Sequence, residues 1–210
     1  MALFSFLAQH QSQLAARLWE HIWLVGVSIT LAALIAVPAG ILLTRRPRFE
    51  RWVLGFANTV QTIPSLALFG FLIPLPWIGG IGPRSAVVAL VLYALLPILR
   101  NTYVGILGVD RPVREAALAM GMTDWQILRL VELPLAARTI MAGLRVATVT
   151  GIGVATVATL IGAGGLGDFI YRGLQTVNAR LILLGAMPAA LMALAVDFGL
   201  GWIEKRLIRG

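Results

Sequence analysis

Apolar residues along this chain come in runs far longer than a soluble core needs. The first extends from about Ile22 to Leu43 and stops at Thr44-Arg45-Arg46-Pro47-Arg48, where charge and proline coincide. A second covers about Trp52 to Leu75, with Pro64 inside it and Pro74 and Pro76 at its end. The third, fourth and fifth run from about Ser85 to Leu107, Ile140 to Ile161 and Leu181 to Ile203. A hydrocarbon layer of about 30 Å takes about 20 helical residues. The pattern therefore predicts an all-α, polytopic membrane protein with about five transmembrane helices in a single transmembrane domain, residues 1–210. The weaker topology splits the second run at Pro64 into two passes, because neither half reaches about 17 residues.

Composition agrees: 59% of residues are hydrophobic and 12% charged, and mean hydropathy is +0.89, too little polar surface for a soluble globule. Seventeen Lys and Arg against nine Asp and Glu give a net charge of +8, and position decides what that charge means. Arg45, Arg46, Arg48, Arg51, Arg100, Arg111, Arg114, Arg129, Arg138, Arg145, Lys205, Arg206 and Arg209 fall in or beside one set of connections; Arg17, Arg84, Arg172 and Arg180 fall on the other. By the positive-inside rule the first set is cytoplasmic, so the N-terminus is expected outside and the C-terminus inside, with the basic residues facing a lipid bilayer and no nucleic acid. Residues 1–21, with Phe4, Leu7, Leu14 and Leu18 among Gln9, His10, Gln11, Ser12, Gln13 and Arg17, fit either an amphipathic segment on the outer surface or a loose N-terminus. Met1 to Glu20 lacks a basic n-region and a small-residue cleavage site, so no cleaved signal peptide is expected.

Little here can catalyse. Cysteine is absent, His10 and His21 are the only histidines, and no two carboxylates share a helix face within a run. Metal and acid–base chemistry lack their parts, and the chain is expected not to be an enzyme. Gly162-Ala163-Gly164-Gly165-Leu166-Gly167 lacks the Lys-Ser/Thr ending of a phosphate loop and reads as a flexible exit from the fourth span. A short surface helix is expected after it, with Asp168 near its N-cap.

Polar residues inside the runs are more informative. Asn58, Gln61, Thr62 and Ser65 lie at i, i+3, i+4 and i+7, one stripe of a helix, with Pro64 removing a backbone donor beside them. Such a stripe either joins helices by hydrogen bonds or lines a path for a polar solute. In the fourth span Ala147, Gly151 and Ala155 form a small-residue seam suited to close helix contact. Thr148, Thr156 and Thr159 lie on another stripe and either line a pathway or bond their own preceding carbonyls. Arg100, Arg145 and Asp197 are ionisable groups within spans at similar depth. The short Asp197 needs a partner, Arg145 before Arg100, or a water-filled vestibule.

The inner connection, residues 108–139, holds most of the mid-chain charge and is too long to be slack. Glu115-Ala116-Ala117-Leu118-Ala119-Met120 is a strong helix former, Gly121 ends it, Thr123 or Asp124 can cap a second helix, and Pro134 is expected to stop that one. A helix–turn–helix beneath the membrane is a docking element. Glu115-Ala116-Ala117, Gly121, Val131, Leu133 and Pro134 resemble the EAA loop of ABC importer permeases, with unbroken spacing and Val131 where that pattern has Ile. Gln61-Thr62-Ile63-Pro64-Ser65-Leu66-Ala67-Leu68, Gly79-Gly80-Ile81-Gly82-Pro83, Leu96-Pro97-Ile98-Leu99-Arg100-Asn101-Thr102 and the glycine-rich stretch 161–168 are similar to the osmoprotectant branch, permeases for glycine betaine, carnitine and choline. The methionine permeases share the EAA loop and a similar glycine-rich stretch, so the Gln-Thr-Ile-Pro-Ser segment discriminates better.

The resemblance implies a multi-pass permease of a bacterial or archaeal cell membrane, paired with a second copy or a homologous permease. It implies partner ABC ATPases that carry ATP and Mg while this chain holds no cofactor, and an extracytoplasmic substrate-binding protein supplied as a separate chain. The resemblance makes Glu115, Ala116, Ala117, Gly121, Val131, Leu133 and Pro134 the ATPase-coupling residues, while the polar stripes make Asn58, Gln61, Thr62, Pro64, Ser65, Thr148 and Thr156 candidates for the translocation path. The rival readings are a methionine or other amino-acid importer and an ATP-independent channel. A simple pore has no need of the ordered charged loop.

Overall fold

The computed structural model describes residues 2–207; side chains are described from residue 10 to residue 206. Among the described residues every regular element is helical. The elements are α1 (Ala2–Arg45), α2 (Pro47–Thr62), α3 (Ser65–Leu72), α4 (Pro83–Leu107), α5 (Arg111–Ala119), α6 (Asp124–Ile127), α7 (Leu133–Val157), α8 (Gly167–Gln175) and α9 (Ala179–Leu207). A π-turn, Leu128–Glu132, joins α6 to α7, and a 3₁₀ turn, Ala158–Ile161, follows α7. Four helices are long and apolar enough to cross a membrane, and the sharply bent α2–α3 pair reaches that length only when its two halves are taken together.

Three features bear on the sequence expectation, one of them, the break at Pro64, in agreement with it, and each has a physical cause. The outer segment and the first span are a single helix of 44 residues, because nothing between Leu14 and Ile22 caps or breaks it. Of that segment, the side chains of Phe4, Leu7 and Gln9 lie outside the described residues. The second run bends by 102° between α2 and α3. Pro64 offers no N–H, and the Val60 carbonyl accepts instead from Ile63 N–H at 3.2 Å, which closes α2 early. Pro134 stops nothing: it sits in the first turn of α7, and α6, the π-turn and α7 run on as one helix. In the π-turn Leu133 N–H reaches back five residues to the Leu128 carbonyl, loosening the ladder where the proline ring needs room.

α1, α4 and α9 run in one direction and α7 against them, with α4 packed between α1 and α7, and α9 on the far side of α7. One apolar cluster gathers Leu24, Phe69, Leu90, Ile152 and Ala158; another gathers Ala32, Ala36, Ile98, Leu99 and Ala147. Small residues set the closest approaches. Ala147 and Ala155 are fully buried in the α7 seam, and Gly151 faces Ile29 of α1. The two ends of the bundle are distinct. One carries the glycine-rich stretch and the start of α1; the other carries α5, α6 and the C-terminal end of α1.

Candidate functional site

At the loop end, Pro112 opens α5 and Gly121 closes it, with φ of +80° at the turn. Thr123 then begins α6 with a reciprocal cap, its hydroxyl taking Gln126 N–H while Gln126 Oε1 takes Thr123 N–H at 2.8 Å. Glu115 and Ala116 are exposed, and Glu115 accepts from Arg111 Nε at 2.9 Å. Ala117, grouped with them by sequence, is turned inward and 1% exposed, where its small side chain lets α5 lie close to the rest of the loop. Val131 and Leu133 are half-buried and Pro134 is exposed. Around this most charged part of the chain, Leu118, Met120, Trp125 and Leu130 stand more than half exposed. Large apolar side chains displayed by an ordered polar loop mark a contact surface.

Glu132 was not singled out by sequence, yet it is the fully buried carboxylate of the loop end. Arg45, the last residue of α1, ion-pairs with its Oε2, and Arg114 Nε of α5 lies 3.1 Å from Oε1. Arg114 also donates to the Ile106 carbonyl near the end of α4. The only sequence signal was the charge itself, an acid placed one residue before the Leu133-Pro134 pair.

Within the bundle, Asn58, Gln61 and Thr62 are exposed on α2 and Ser65 is half-buried on α3. Gln61 Nε2 donates to the Tyr93 carbonyl at 2.8 Å, and the Tyr93 hydroxyl donates to the Ile63 carbonyl at the break. Thr62 bonds the Thr59 carbonyl, Thr148 the Leu144 carbonyl and Thr156 the Gly153 carbonyl, each within its own helix. Toward the loop end, Arg145 Nε and Nη2 donate to the two carboxylate oxygens of Asp197, the second at 2.7 Å. Gly201 leaves the guanidinium its space. The pair borders an open cavity of about 810 Å³ shared with Arg138, Trp202, Glu204 and Lys205. Arg100, the alternative partner, is exposed.

The opposite end corrects the expectation of a flexible exit after α7. Gly165 N–H donates to Glu20 at 2.9 Å and Leu166 N–H to His21 Nδ1 at 3.3 Å, while His21 Nε2–H donates to the Ile152 carbonyl at 3.1 Å. A Cβ on Gly167 would lie 1.9 Å from the Thr156 carbonyl oxygen, so the chain there is pressed onto α7. Asp168 lies in the first turn of α8, not at its cap, and binds Arg172 at 2.8 Å and Arg17 at 3.2 Å. The glycines shape an ordered lock between α1, α7 and α8.

Residues 36–209 match the family model described as a binding-protein-dependent transport system inner membrane component. The chain is 45% identical to the carnitine transport permease protein OpuCB of Listeria monocytogenes, over 98% of its own length and 93% of the relative's. It is 43% identical to the glycine betaine/carnitine/choline transport system permease protein OpuCB of Bacillus subtilis, over 98% and 93%. Among solved structures, an inward-facing form of the MetNI methionine ABC transporter is similar with a TM-score of 0.85 at 26% identity, covering 95% of this chain and 98% of that one.

Proposed function

Because this chain belongs to the family of binding-protein-dependent transport system inner membrane components, we propose that it is the permease of an ATP-driven importer for a quaternary-ammonium osmoprotectant such as glycine betaine, carnitine or choline. The observation that carries the reading is the loop end. An exposed, capped helix pair presents Glu115, Ala116 and Gly121 at the family's spacing, ringed by Leu118, Met120, Trp125 and Leu130. That surface suits a cleft on a cytoplasmic ATPase, which supplies ATP and Mg chemistry that this chain's own residues do not. The loop end is then cytoplasmic and the glycine-rich end faces an extracytoplasmic binding protein. The cargo reading rests on relatives at 42–46% identity that are named for carnitine, choline and glycine betaine, against 26% for the methionine system.

Asn58, Gln61 and Thr62 stand exposed on the half of α2 that leads to the Pro64 break, where polar groups are costly against lipid. The α2 stripe therefore faces a second permease copy or the solute path between copies. Reconstituted vesicles with the ATPase and binding protein test the whole reading: uptake of labelled glycine betaine should be ATP-dependent and displaced by choline or carnitine. Displacement by methionine alone would transfer the chain to the amino-acid importers, and uptake without ATP would make it a channel.

A further inference from the structure

The ion-paired Glu132 lies outside the spaced residues of the loop pattern, yet it joins more elements than any of them. It sits at the end of the π-turn, the one place where the long α6–α7 helix leaves regular α-geometry. Its side chain is 1% exposed, against 42% for Arg45 and 25% for Arg114. Through those two arginines the carboxylate binds the C-terminal end of α1 and the middle of α5, and Arg114 extends the tie to the Ile106 carbonyl of α4. A π-turn inside a helix is a frequent mark of function, and a buried charge is held only where its partners hold it.

We infer that Glu132 is the joint through which movement of α5 reaches the membrane helices α1, α4 and α7. The inference rests on the proposed docking of α5 on an ATPase. Apart from these ion pairs, Ala117 is the buried side chain of α5, set against the rest of the loop. The joint is held without being locked. Arg114 Nε and Glu132 Oε1, at 3.1 Å, are close enough to attract but are not aligned as a hydrogen bond, so both retain unspent bonding capacity in a buried place. Glu132 is thus a positioning residue: it touches neither solute nor nucleotide.

The experiment uses the complete transporter of permease, ATPase and binding protein in lipid vesicles, and reads solute moved per ATP hydrolysed. Glu132→Gln keeps the shape and removes the charge. It should lower that ratio at least tenfold while hydrolysis changes less than threefold, a split that general loss of folded protein does not produce. Arg45→Gln, at the more exposed arm, should lower the ratio about threefold and decides the matter if Glu132→Gln fails to assemble. Amide exchange in α5 should quicken in both variants. Transport and hydrolysis falling together, with the ratio unchanged, would overturn the joint while leaving the ATPase reading intact. Failure of the unaltered chain to retain any ATPase would overturn both.

Discussion

Two non-glycine residues, Trp77 and Val177, hold backbone of left-handed sign, with φ of +77° and +50°, and both are more than nine-tenths exposed. A β-branched residue there stores about 1–2 kcal/mol of strain and returns no packing. Val177→Asn, which tolerates this region without glycine's entropy, should stabilise the protein by about 1 kcal/mol, read as a rise in melting temperature in detergent. Gly121, at φ +80°, has open space where a Cβ would stand. Gly121→Val therefore costs only backbone strain, about 1–2 kcal/mol, and does so at the turn that sets α5 against α6. Membrane insertion should survive while transport uncouples from hydrolysis. Retained solute-stimulated hydrolysis together with normal transport would count against a coupling role.

At the scale of elements, the sequence shows where chains stop more readily than where they continue. The arginine and proline stop after Leu43 and the glycine stop after α5 were legible, because each is a local property of one or two residues. Pro134 misleads for the same reason: the π-turn that absorbs it is set by the fit of α6 and α7 against α1 and α5, which no local pattern reports. Pro64 was legible as a weak point, though not the 102° bend, which Tyr93 stabilises from α4 across 30 positions of sequence. The α7–α9 contact is testable as a pair. Asp197→Asn and Arg145→Met should each lower thermal stability, and the double variant should recover part of the loss, since no charge then lacks its partner. Strictly additive losses would show that the contact contributes nothing.

For the whole molecule, hydropathy placed the long apolar helices and their order, four continuous and one broken, while the sites that join them were mostly hidden. Glu132, His21 and Glu20 look unremarkable along the chain because their partners lie 87, 131 and 145 positions away. Exposure in the single chain also separates candidate faces. Asn58, Gln61 and Thr62 are exposed, whereas Thr148 and Thr156 are half-buried, and the hydroxyls of all three threonines bond carbonyls of their own helix. With no native cysteine to interfere, Asn58→Cys, Gln61→Cys and Thr62→Cys should react with polar thiol reagents in the assembled transporter well above Phe56→Cys or Phe71→Cys. Equal, slow labelling would make the stripe a helix contact and remove it from the path.

α1 brings the two ends of the bundle into one mechanical account. It is anchored at Glu20 and His21 by the glycine-rich lock and at Arg45 by Glu132, and between those anchors it is an unbroken helix. Some 24 residues at about 1.5 Å each make a connection of about 36 Å, in which Pro38 removes one ladder hydrogen bond without ending the helix. A continuous helix held at both ends links the two ends of the bundle, so a displacement of α1 at one end bears on the other. Thermodynamic reciprocity then applies: whatever free energy events at one face spend on shifting α1 is felt in equal measure by binding at the other. Under the proposed function, occupancy at the glycine-rich end and nucleotide state at the loop end become two readings of a single equilibrium, with one helix as the pointer.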